Sequence, residues 1–350
     1  MAERLMNVAG RVLDDLSDCF VIAEVGHNHQ GDLETAHRML DAAADAGVDA
    51  VKIQKRDNRS LFTREFFDSP YVGPNSFGDT YGAHRERLEL DRGQYAELQA
   101  HAKERGVMFF ATAFDEPSAD FLAELDMPAF KIASGDLRSL PLIEYVARLG
   151  RPMFLSTGGG TMDAVVRAHD TAREHNGDVC IMQCTAGYPP AWDELNLSTI
   201  ATYRERFPDT VIGFSSHDNG IAMATAAFAL GARAVEKHFT LDRTMRGTDH
   251  AFSLEPAGMR KLVRDLRRTR LAMGDGVKRP FDSEQAPVRK MSKQLVAARE
   301  LPAGHVVTAD DVAARSPGGG MTPDRMPEVV GRTLVSGLAV DEPFSLDVLG

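Results

Sequence analysis

The sequence has little cysteine, no long apolar segment and no excess of positive charge. Only three cysteines occur in 350 residues, none in a CxxC pair, which argues against a disulfide framework or a thiolate zinc site and predicts a cytoplasmic protein. No apolar run reaches the roughly 18 residues of a membrane span, and the N-terminus lacks the apolar segment of a secretory signal. With 40 basic and 51 acidic residues the net charge is −11, which disfavours binding to nucleic acid or to anionic membranes.

The sequence does contain a repeated alternation of strand-like and helix-like segments. Apolar residues make up 43% of the chain and charged residues 26%, which is typical of a globular protein with a full core. Eight short apolar runs, each followed by an amphipathic segment, indicate parallel strands covered on both faces. The runs are Phe20–Glu24, Ala50–Gln54, Val107–Thr112, Ala129–Ala133, Pro152–Ser156, Val179–Cys184, Val211–Ser215 and Ala234–His238. Eight such repeats predict an α/β fold in the form of a closed (β/α)8 TIM barrel. The alternative, a doubly wound sheet that binds a dinucleotide, is weakened because no GxGxxG motif follows the first run.

The pattern changes near residue 275. Residues 1–275 are predicted to form a catalytic barrel, residues 276–290 a linker rich in polar residues, glycine and proline, and residues 291–350 a small, mostly β domain. Residues 56–90 predict a long irregular insertion after the second strand. On a barrel that insertion lies at the face where loops build active sites.

Polar residues cluster at the C-terminal ends of the eight runs, which meet at one mouth of a barrel. They are Glu24, Asn28, His29, Lys52, Gln54, Thr112, Asp115, Lys131, Ser134, Asp136, Ser156, Thr157, Gln183, Thr185, Ser215, His217, Glu236 and His238. Lys52 and Lys131 stand inside otherwise apolar strands, and a buried ammonium group needs an anion or a covalent role. For either lysine alone, the plainer alternative is a strand-end side chain that extends to solvent.

The histidines at the last two strand ends predict a metal site. His217 and His238 end the seventh and eighth strands, so their imidazoles are expected to approach one divalent cation. Glu24, on the first strand, neighbours the eighth strand when the barrel closes and can reach that ion or its water. Three histidines without this placement are interpreted as structural: His27, His250 and His305.

A series of motifs runs along the chain in a fixed order: FVIAEVGHNHQGD, TYGAHRERLEL, FKIASGD, LSTGGG, MQCTAGYPP, GFSSHD, EKHFTLDR and GTDHAFSLEP. With these motifs the chain resembles the sialic acid synthase family from about residue 18 to its end, and VAARELPAGHVVTADDV resembles the family's C-terminal antifreeze-like SAF domain. The resemblance implies a transferase of sialic acid biosynthesis that condenses phosphoenolpyruvate with an N-acetylmannosamine-like aldose. The implied products are a nine-carbon 2-keto-3-deoxy sugar acid and inorganic phosphate, released by C–O cleavage.

The resemblance also implies a role for each candidate site residue. His217 and His238 bind a divalent cation, usually Mn²⁺ with Mg²⁺ or Co²⁺ as alternatives, and Glu24 orients or deprotonates water, so these three are the catalytic group. Phosphoenolpyruvate is held by Lys52, Thr112, Lys131, Ser134, Ser156 and Ser215, and the sugar by Gln54, Tyr188 and Asp249. The family forms domain-swapped homodimers in which an arginine of the SAF domain, here Arg315, reaches the partner's sugar.

The identity of the aldose and the type of reaction each have alternatives. QCT in place of HCT, together with SPYVGPNSFGDTYGAH, resembles the animal branch of the family, which uses a 6-phosphorylated sugar. The sequence leaves four candidates for the aldose: N-acetylmannosamine, its 6-phosphate, mannose 6-phosphate and a bacterial deoxy-diamino sugar. A Schiff-base aldolase with Lys52 or Lys131 as nucleophile is a competing interpretation. So is a noncatalytic carbohydrate-binding or ice-binding protein that uses the small domain.

Overall fold

The computed structural model describes residues 4–350, which contain twelve strands and twelve α-helices. The strands are β1 (Leu5–Val8), β2 (Arg11–Asp14), β3 (Phe20–Gly26), β4 (Ala50–Lys55), β5 (Met108–Ala113), β6 (Phe130–Ile132), β7 (Met153–Ser156), β8 (Val179–Cys184), β9 (Val211–Ser216), β10 (Ala234–His238), β11 (Gln294–Ala297) and β12 (Val312–Arg315). The helices are α1 (Leu33–Ala46), α2 (Asn58–Leu61), α3 (Arg64–Phe67), α4 (Tyr81–Leu88), α5 (Arg92–Glu104), α6 (Glu116–Glu124), α7 (Leu140–Arg148), α8 (Met162–His175), α9 (Thr199–Arg206), α10 (Ala222–Ala229), α11 (Pro256–Met273) and α12 (Gln285–Met291).

Strands β3 to β10 form a closed parallel barrel, which confirms the predicted fold class. Each strand pairs with the next along the chain, and β10 closes on β3 with His238 beside Glu24. All eight strands begin and end within two residues of the predicted runs. Their outward apolar side chains pack with the surrounding helices in one continuous core. The carboxyl ends of all eight strands therefore meet at one mouth.

Local sequence signals set where the helices begin and end. Asp32 begins α1 by accepting a hydrogen bond from the backbone N–H of Thr35, and Gly47 ends it with a φ of 83°. Glycine adopts that left-handed conformation without strain. Asp91 and Gln94 begin α5 with a reciprocal pair of hydrogen bonds. Because these caps fix the first residue of each helix, they also fix the length of the loops at the barrel mouth.

A β-hairpin that the sequence analysis does not predict closes the other end of the barrel. Strands β1 and β2 pair antiparallel before the first barrel strand. Three of their side chains are fully buried and pack with inward-facing residues of the barrel strands, Phe20 and Phe154 among them: Met6, Val8 and Leu13. The hairpin therefore fills the amino-terminal end of the barrel interior with apolar side chains.

The insertion between β4 and α5 is more ordered than predicted. Residues 56–90 are expected to be irregular, but they contain the short helices α2, α3 and α4, whose first turns are capped by Asp57, Thr63 and Thr80. The longest of the three has only 8 residues. A helix of that length shows too few turns for hydrophobic periodicity to reveal it.

A second compact unit runs from Asp275 to Gly350. Strand β11 pairs antiparallel with β12, and isolated bridges complete a small, mostly β unit as predicted. Its own apolar core includes Leu295, Leu301, Val307, Val329, Leu334 and Phe344. Helix α12 overlaps residues 276–290, where the sequence predicts a linker, and the domain boundaries stay a prediction. Among residues 4–350, no helix has the length and apolarity that crossing a bilayer requires.

Candidate active site

Two lysines and two glutamates form a buried charged layer inside the barrel. All four are at most 5% exposed, and they come from four strands: Glu24 on β3, Lys52 on β4, Lys131 on β6 and Glu236 on β10. Lys52 Nζ lies 2.6 Å from Glu24 Oε2 and 3.7 Å from Glu236 Oε1. Lys131 Nζ lies 3.4 Å from Glu236 Oε1. Neither lysine extends to solvent, so the plainer sequence interpretation is wrong for both.

Hydroxyl groups surround the charged layer. Lys52 Nζ donates to Thr112 Oγ1 at 2.7 Å, and Ser215 Oγ donates to Glu236 Oε1 at 3.3 Å. Ser156 Oγ is buried and has no hydrogen-bond partner among the described residues. Ammonium groups beside hydroxyl donors form an arrangement that binds a small polyanion.

The two glutamates of the charged layer have opposite pKa shifts. Burial raises the pKa of Glu24 despite the nearby ammonium group of Lys52, and the negative charge of Glu236 adds to the rise. Burial also acts to raise the pKa of Glu236, but the ammonium groups of Lys131 and Lys52 outweigh it and lower that pKa. Glu236 is therefore the lasting counter-charge of the lysines, whereas Glu24 is suited to take up a proton.

Two histidines lie at the carboxyl ends of β9 and β10. The ring centres of His217 and His238 are 5.2 Å apart. Tyr188 packs against His217 with 4.0 Å between ring centres, and Asp249 Oδ2 lies 3.9 Å from His238 Nδ1. Burial lowers the pKa of both histidines to about 4. Both imidazoles are therefore neutral near pH 7, the form that binds metal ions.

The donor atoms of the histidine pair fit a divalent cation. His217 Nδ1 lies 3.0 Å from the carbonyl oxygen of Thr185; because a carbonyl only accepts, Nδ1 carries the proton and Nε2 keeps a free lone pair. His238 Nδ1 is buried without a hydrogen-bond partner in the described part of the chain. Residues 4–350 hold no group of three His, Cys, Asp or Glu side chains arranged for a cation. Oxygen atoms of substrate and water would have to complete the coordination.

A cavity of about 670 Å³ opens at this end of the barrel. The structure brings together twelve of the thirteen sequence-predicted site residues as its lining: Glu24, Lys52, Gln54, Thr112, Lys131, Ser134, Ser156, Tyr188, Ser215, His217, His238 and Asp249. The thirteenth, Arg315, ends β12 in the second unit and forms an ion pair with Asp341. Its expected place in a partner's active site stays a prediction.

The cavity lining also includes residues to which the sequence analysis gives no role. Glu236 appears among the strand-end residues, but its contacts with both lysines could not be read from its position alone. Arg56 and Arg85 line the cavity beside His27, which the sequence analysis interprets as structural. The position of Arg56 directly after β4 is a usable signal, whereas Arg85 lies in the insertion whose helices the sequence did not reveal.

A buried ion pair joins the two segments that carry the histidines. Lys237 Nζ lies 2.9 Å from Asp218 Oδ1 and donates to the Asp218 carbonyl oxygen at 2.6 Å. Both residues are 1% exposed. Asp218 directly follows His217, and Lys237 directly precedes His238, with its side chain on the opposite face of the strand. The pair therefore fixes the separation of the two imidazoles.

Comparisons with known proteins match both units. The NeuB family matches residues 39–278, and the SAF domain matches residues 293–349. The N-acetylneuraminate-9-phosphate synthase of Mus musculus is 42% identical over 301 residues, covering 86% of this chain and 84% of the mouse protein. The N,N'-diacetyllegionaminic acid synthase of Campylobacter jejuni is 34% identical and covers 92% of this chain and 97% of its own. The crystal structure of N-acetylneuraminic acid synthetase from Leptospira borgpetersenii is 31% identical with a TM-score of 0.72, over 82% of this chain and 95% of that one.

Proposed function

Because this chain belongs to the NeuB family of phosphoenolpyruvate-dependent condensing enzymes and ends in a SAF domain, we propose that it joins phosphoenolpyruvate to an N-acetylmannosamine-like aldose, free or as the 6-phosphate. The products are a nine-carbon 2-keto-3-deoxy sugar acid and inorganic phosphate. The observation that carries the proposal is the buried lysine–glutamate layer in the same cavity as two neutral histidines.

The charged layer is where phosphoenolpyruvate binds in this proposal. Its phosphate and carboxylate bring roughly three negative charges into a pocket largely removed from water, where fixed cations and hydroxyl donors act strongly. Lys52 and Lys131 supply the positive charge, and Thr112, Ser156 and Ser215 supply hydroxyl donors. Since an entering anion competes with Glu24 for Lys52, it weakens the contact that lowers the pKa of that carboxyl group and so makes the carboxylate a stronger base.

The reaction forms one carbon–carbon bond and breaks one carbon–oxygen bond. The C3 atom of phosphoenolpyruvate attacks the aldehyde carbon of the open-chain sugar, whose oxygen becomes a hydroxyl, and positive charge develops at C2. Water adds to C2 and gives its proton to Glu24, the buried carboxylate with a raised pKa. The tetrahedral centre then collapses to the ketone, and the bridging oxygen leaves with inorganic phosphate, which takes the proton of the C2 hydroxyl. The proton received by Glu24 balances the one that the sugar oxygen takes up.

We propose that His217 and His238 hold a divalent cation, with Mn²⁺ the expected ion and Mg²⁺ or Co²⁺ as alternatives. When bound, such an ion acts as a Lewis acid on the sugar aldehyde. Three residues of the chain orient the sugar in this proposal: Gln54, Tyr188 and Asp249, which line the same cavity as the histidines. Gln54 Nε2 donates to Glu24 Oε1 at 2.7 Å, which couples the sugar's position to the group that accepts the proton.

A product assay tests the proposal directly. Purified enzyme with phosphoenolpyruvate, Mn²⁺ and a panel of free and phosphorylated hexosamines should yield a nine-carbon keto acid by mass spectrometry. In water labelled with ¹⁸O, the label should enter C2 of the product and not the phosphate, because the C–O bond is the one that breaks. Label in the phosphate would exclude this route, and absence of any keto acid across the panel would exclude the activity.

The Schiff-base alternative is disfavoured by the contacts of both lysines. The Nζ atom of each lysine contacts a carboxylate, whereas imine formation needs an amine that is free to attack a carbonyl carbon. EDTA should therefore abolish turnover, and borohydride should trap no covalent adduct; the opposite pair of results would favour the aldolase. A noncatalytic carbohydrate-binding protein would show no binding of phosphoenolpyruvate in calorimetry.

We further propose a domain-swapped homodimer in which Arg315 contacts the sugar in the partner's barrel. Support comes from the SAF match over residues 293–349 and from the exposed position of Arg315 on the second unit. The three cysteines are all free and buried, which fits a reducing compartment such as the cytoplasm.

A further inference from the structure

The triglycine segment that ends the LSTGGG motif, residues 158–160, packs against the loop that follows β6. It comes directly after β7 and Thr157. The backbone N–H of Gly158 donates to Ser134 Oγ at 3.0 Å. Gly160 lies so close to the same loop that an added Cβ atom would overlap the side chain of Leu137. The ends of β6 and β7 are therefore fixed to each other at two points.

The neighbours of Gly158 leave no room for a side chain. A Cβ atom at this position would lie 2.7 Å from Ser134 Oγ and 3.0 Å from both the Cβ atom and the backbone nitrogen of Ala186. The backbone of Gly158 lies outside the left-handed region that favours glycine, whereas Gly159 has a φ of 69°. Close packing, and not backbone conformation, therefore explains the glycine at position 158.

The hydrogen bond from Gly158 restricts where the Ser134 hydroxyl can point. Because Ser134 Oγ accepts from a backbone N–H, its own hydrogen has to point elsewhere and is available to a second acceptor. Ser134 lines the active-site cavity together with Lys131 and Cys184. An ammonium group accepts no hydrogen bond, and the sulfur of Cys184, which also contacts Ser134, accepts only weakly. An anion oxygen in the cavity is the stronger acceptor for this hydrogen.

Ser134 belongs to the side of the cavity that carries Lys131. Lys131 lies on β6, and Ser134 follows the end of that strand by two residues. Strand β7 pairs with β6 and ends at Ser156, two residues before Gly158. Ser156 Oγ is buried and has no hydrogen-bond partner among the described residues. An anion that pairs with Lys131 therefore has two hydroxyl groups at the ends of the same two strands.

Resting on the proposed function, we infer that Gly158 is a positioning residue for the binding of phosphoenolpyruvate. Its N–H holds Ser134 Oγ in place, and its missing side chain leaves Ser134 the room to keep that orientation. In that orientation the Ser134 hydroxyl donates to an oxygen atom of phosphoenolpyruvate. The end of β7 thus acts on the ligand through a side chain of the neighbouring loop.

A double-mutant cycle tests this inference. Phosphoenolpyruvate is titrated calorimetrically, in the presence of Mn²⁺, into the wild type, Gly158→Ala, Ser134→Ala and the double variant. Each single substitution should weaken binding by about 10- to 150-fold, the effect of losing a hydrogen bond to a charged group. The double variant has no hydroxyl group left to displace, so Gly158→Ala added to Ser134→Ala should change the Kd by less than about twofold.

Two further variants control for folding. Gly177→Ala is the matched control, because its backbone is also outside the left-handed region and an added Cβ atom meets nothing within 4 Å. Its Kd for phosphoenolpyruvate should equal that of the wild type. If circular dichroism shows that Gly158→Ala does not fold, Ala186→Gly/Gly158→Ala takes its place in the cycle. That variant removes the Ala186 Cβ atom from the contact and leaves Ser134 Oγ in it.

The outcomes separate this inference from the proposed function, because the titration needs no turnover. An unchanged Kd in Gly158→Ala overturns the inference. An equal loss with and without the Ser134 hydroxyl also overturns it, since the glycine would then act independently of Ser134. If the wild type binds phosphoenolpyruvate but forms no keto acid with any sugar, the proposed reaction fails, yet the cycle still decides the role of Gly158. If the wild type binds no phosphoenolpyruvate, both are wrong.

Discussion

At the scale of single residues, the charged layer shows how position and contacts together define a role. Lys52 and Lys131 are predictable from sequence because a lysine inside an apolar strand needs either an anionic partner or a path to solvent, and two such lysines favour the anionic partner. Glu236 is not, since its place between the two ammonium groups depends on three strands that are far apart in the chain. Twelve of the predicted site residues do line one cavity, because strand-end positions in a barrel converge whatever their separation in sequence.

Replacing Lys131 should impair the binding of phosphoenolpyruvate. Lys131→Met removes one partner of a buried charge pair. Such a change typically costs about 2–5 kcal/mol of binding free energy, which is a loss of affinity of roughly 30- to 4,000-fold. We expect that loss in kcat/KM for phosphoenolpyruvate, measured by phosphate release. Lys103→Met is the matched control, because Lys103 is exposed on α5, and it should stay within about twofold of wild type. An unchanged kcat/KM in Lys131→Met would contradict the assignment.

At the scale of secondary-structure elements, the eight barrel strands and the amino-terminal hairpin differ in how visible they are in the sequence. The barrel strands are continuous apolar runs followed by helices, so their number and order predict the fold. Strands β1 and β2 have four residues each, too few to show alternation clearly. Their buried side chains pack against barrel strands, a contact that only the closed barrel creates.

Removing one apolar side chain of the hairpin should destabilise the barrel. Leu13 is fully buried, so Leu13→Ala should lower the free energy of unfolding by about 2–5 kcal/mol, the usual cost of such a cavity. Urea unfolding followed by circular dichroism measures it. Val12→Ala changes the neighbouring residue on the exposed face, where Val12 is 44% exposed, and should cost less than about 0.5 kcal/mol. Equal effects of the two substitutions would show that the hairpin does not contribute to the barrel core.

At the scale of the whole molecule, the proposed exchange of SAF domains between two chains has a quantitative consequence. In a mixed dimer of Lys131→Met and Arg315→Ala chains, one barrel retains Lys131 and receives the intact Arg315 of the partner. Random exchange makes half of the dimers mixed, so about a quarter of all active sites should recover. Each variant alone should be inactive or strongly impaired.

Activity measured before and after subunit exchange tests this prediction. Subunit exchange is followed independently by mass spectrometry of differently tagged chains. A failure to recover activity can then be distinguished from a failure of the two variants to form mixed dimers. No gain in activity in verified mixed dimers would mean that Arg315 acts within its own chain or not at all. A single-chain mass in solution would contradict the dimer itself.

The sequence by itself determined the barrel, the small β unit and the residues at the strand ends, because these follow from apolar runs, turn residues and strand direction, which are local properties of the chain. Tertiary structure alone decided the pairing of Lys52 and Lys131 with two glutamates, the Lys237–Asp218 pair that spaces the histidines, and the approach of Arg85 on α4 to Arg56. The physical reason is that charge compensation depends on distance in space. Whether a guanidinium or an ammonium group already has its counter-charge cannot be known until the chain has closed around it.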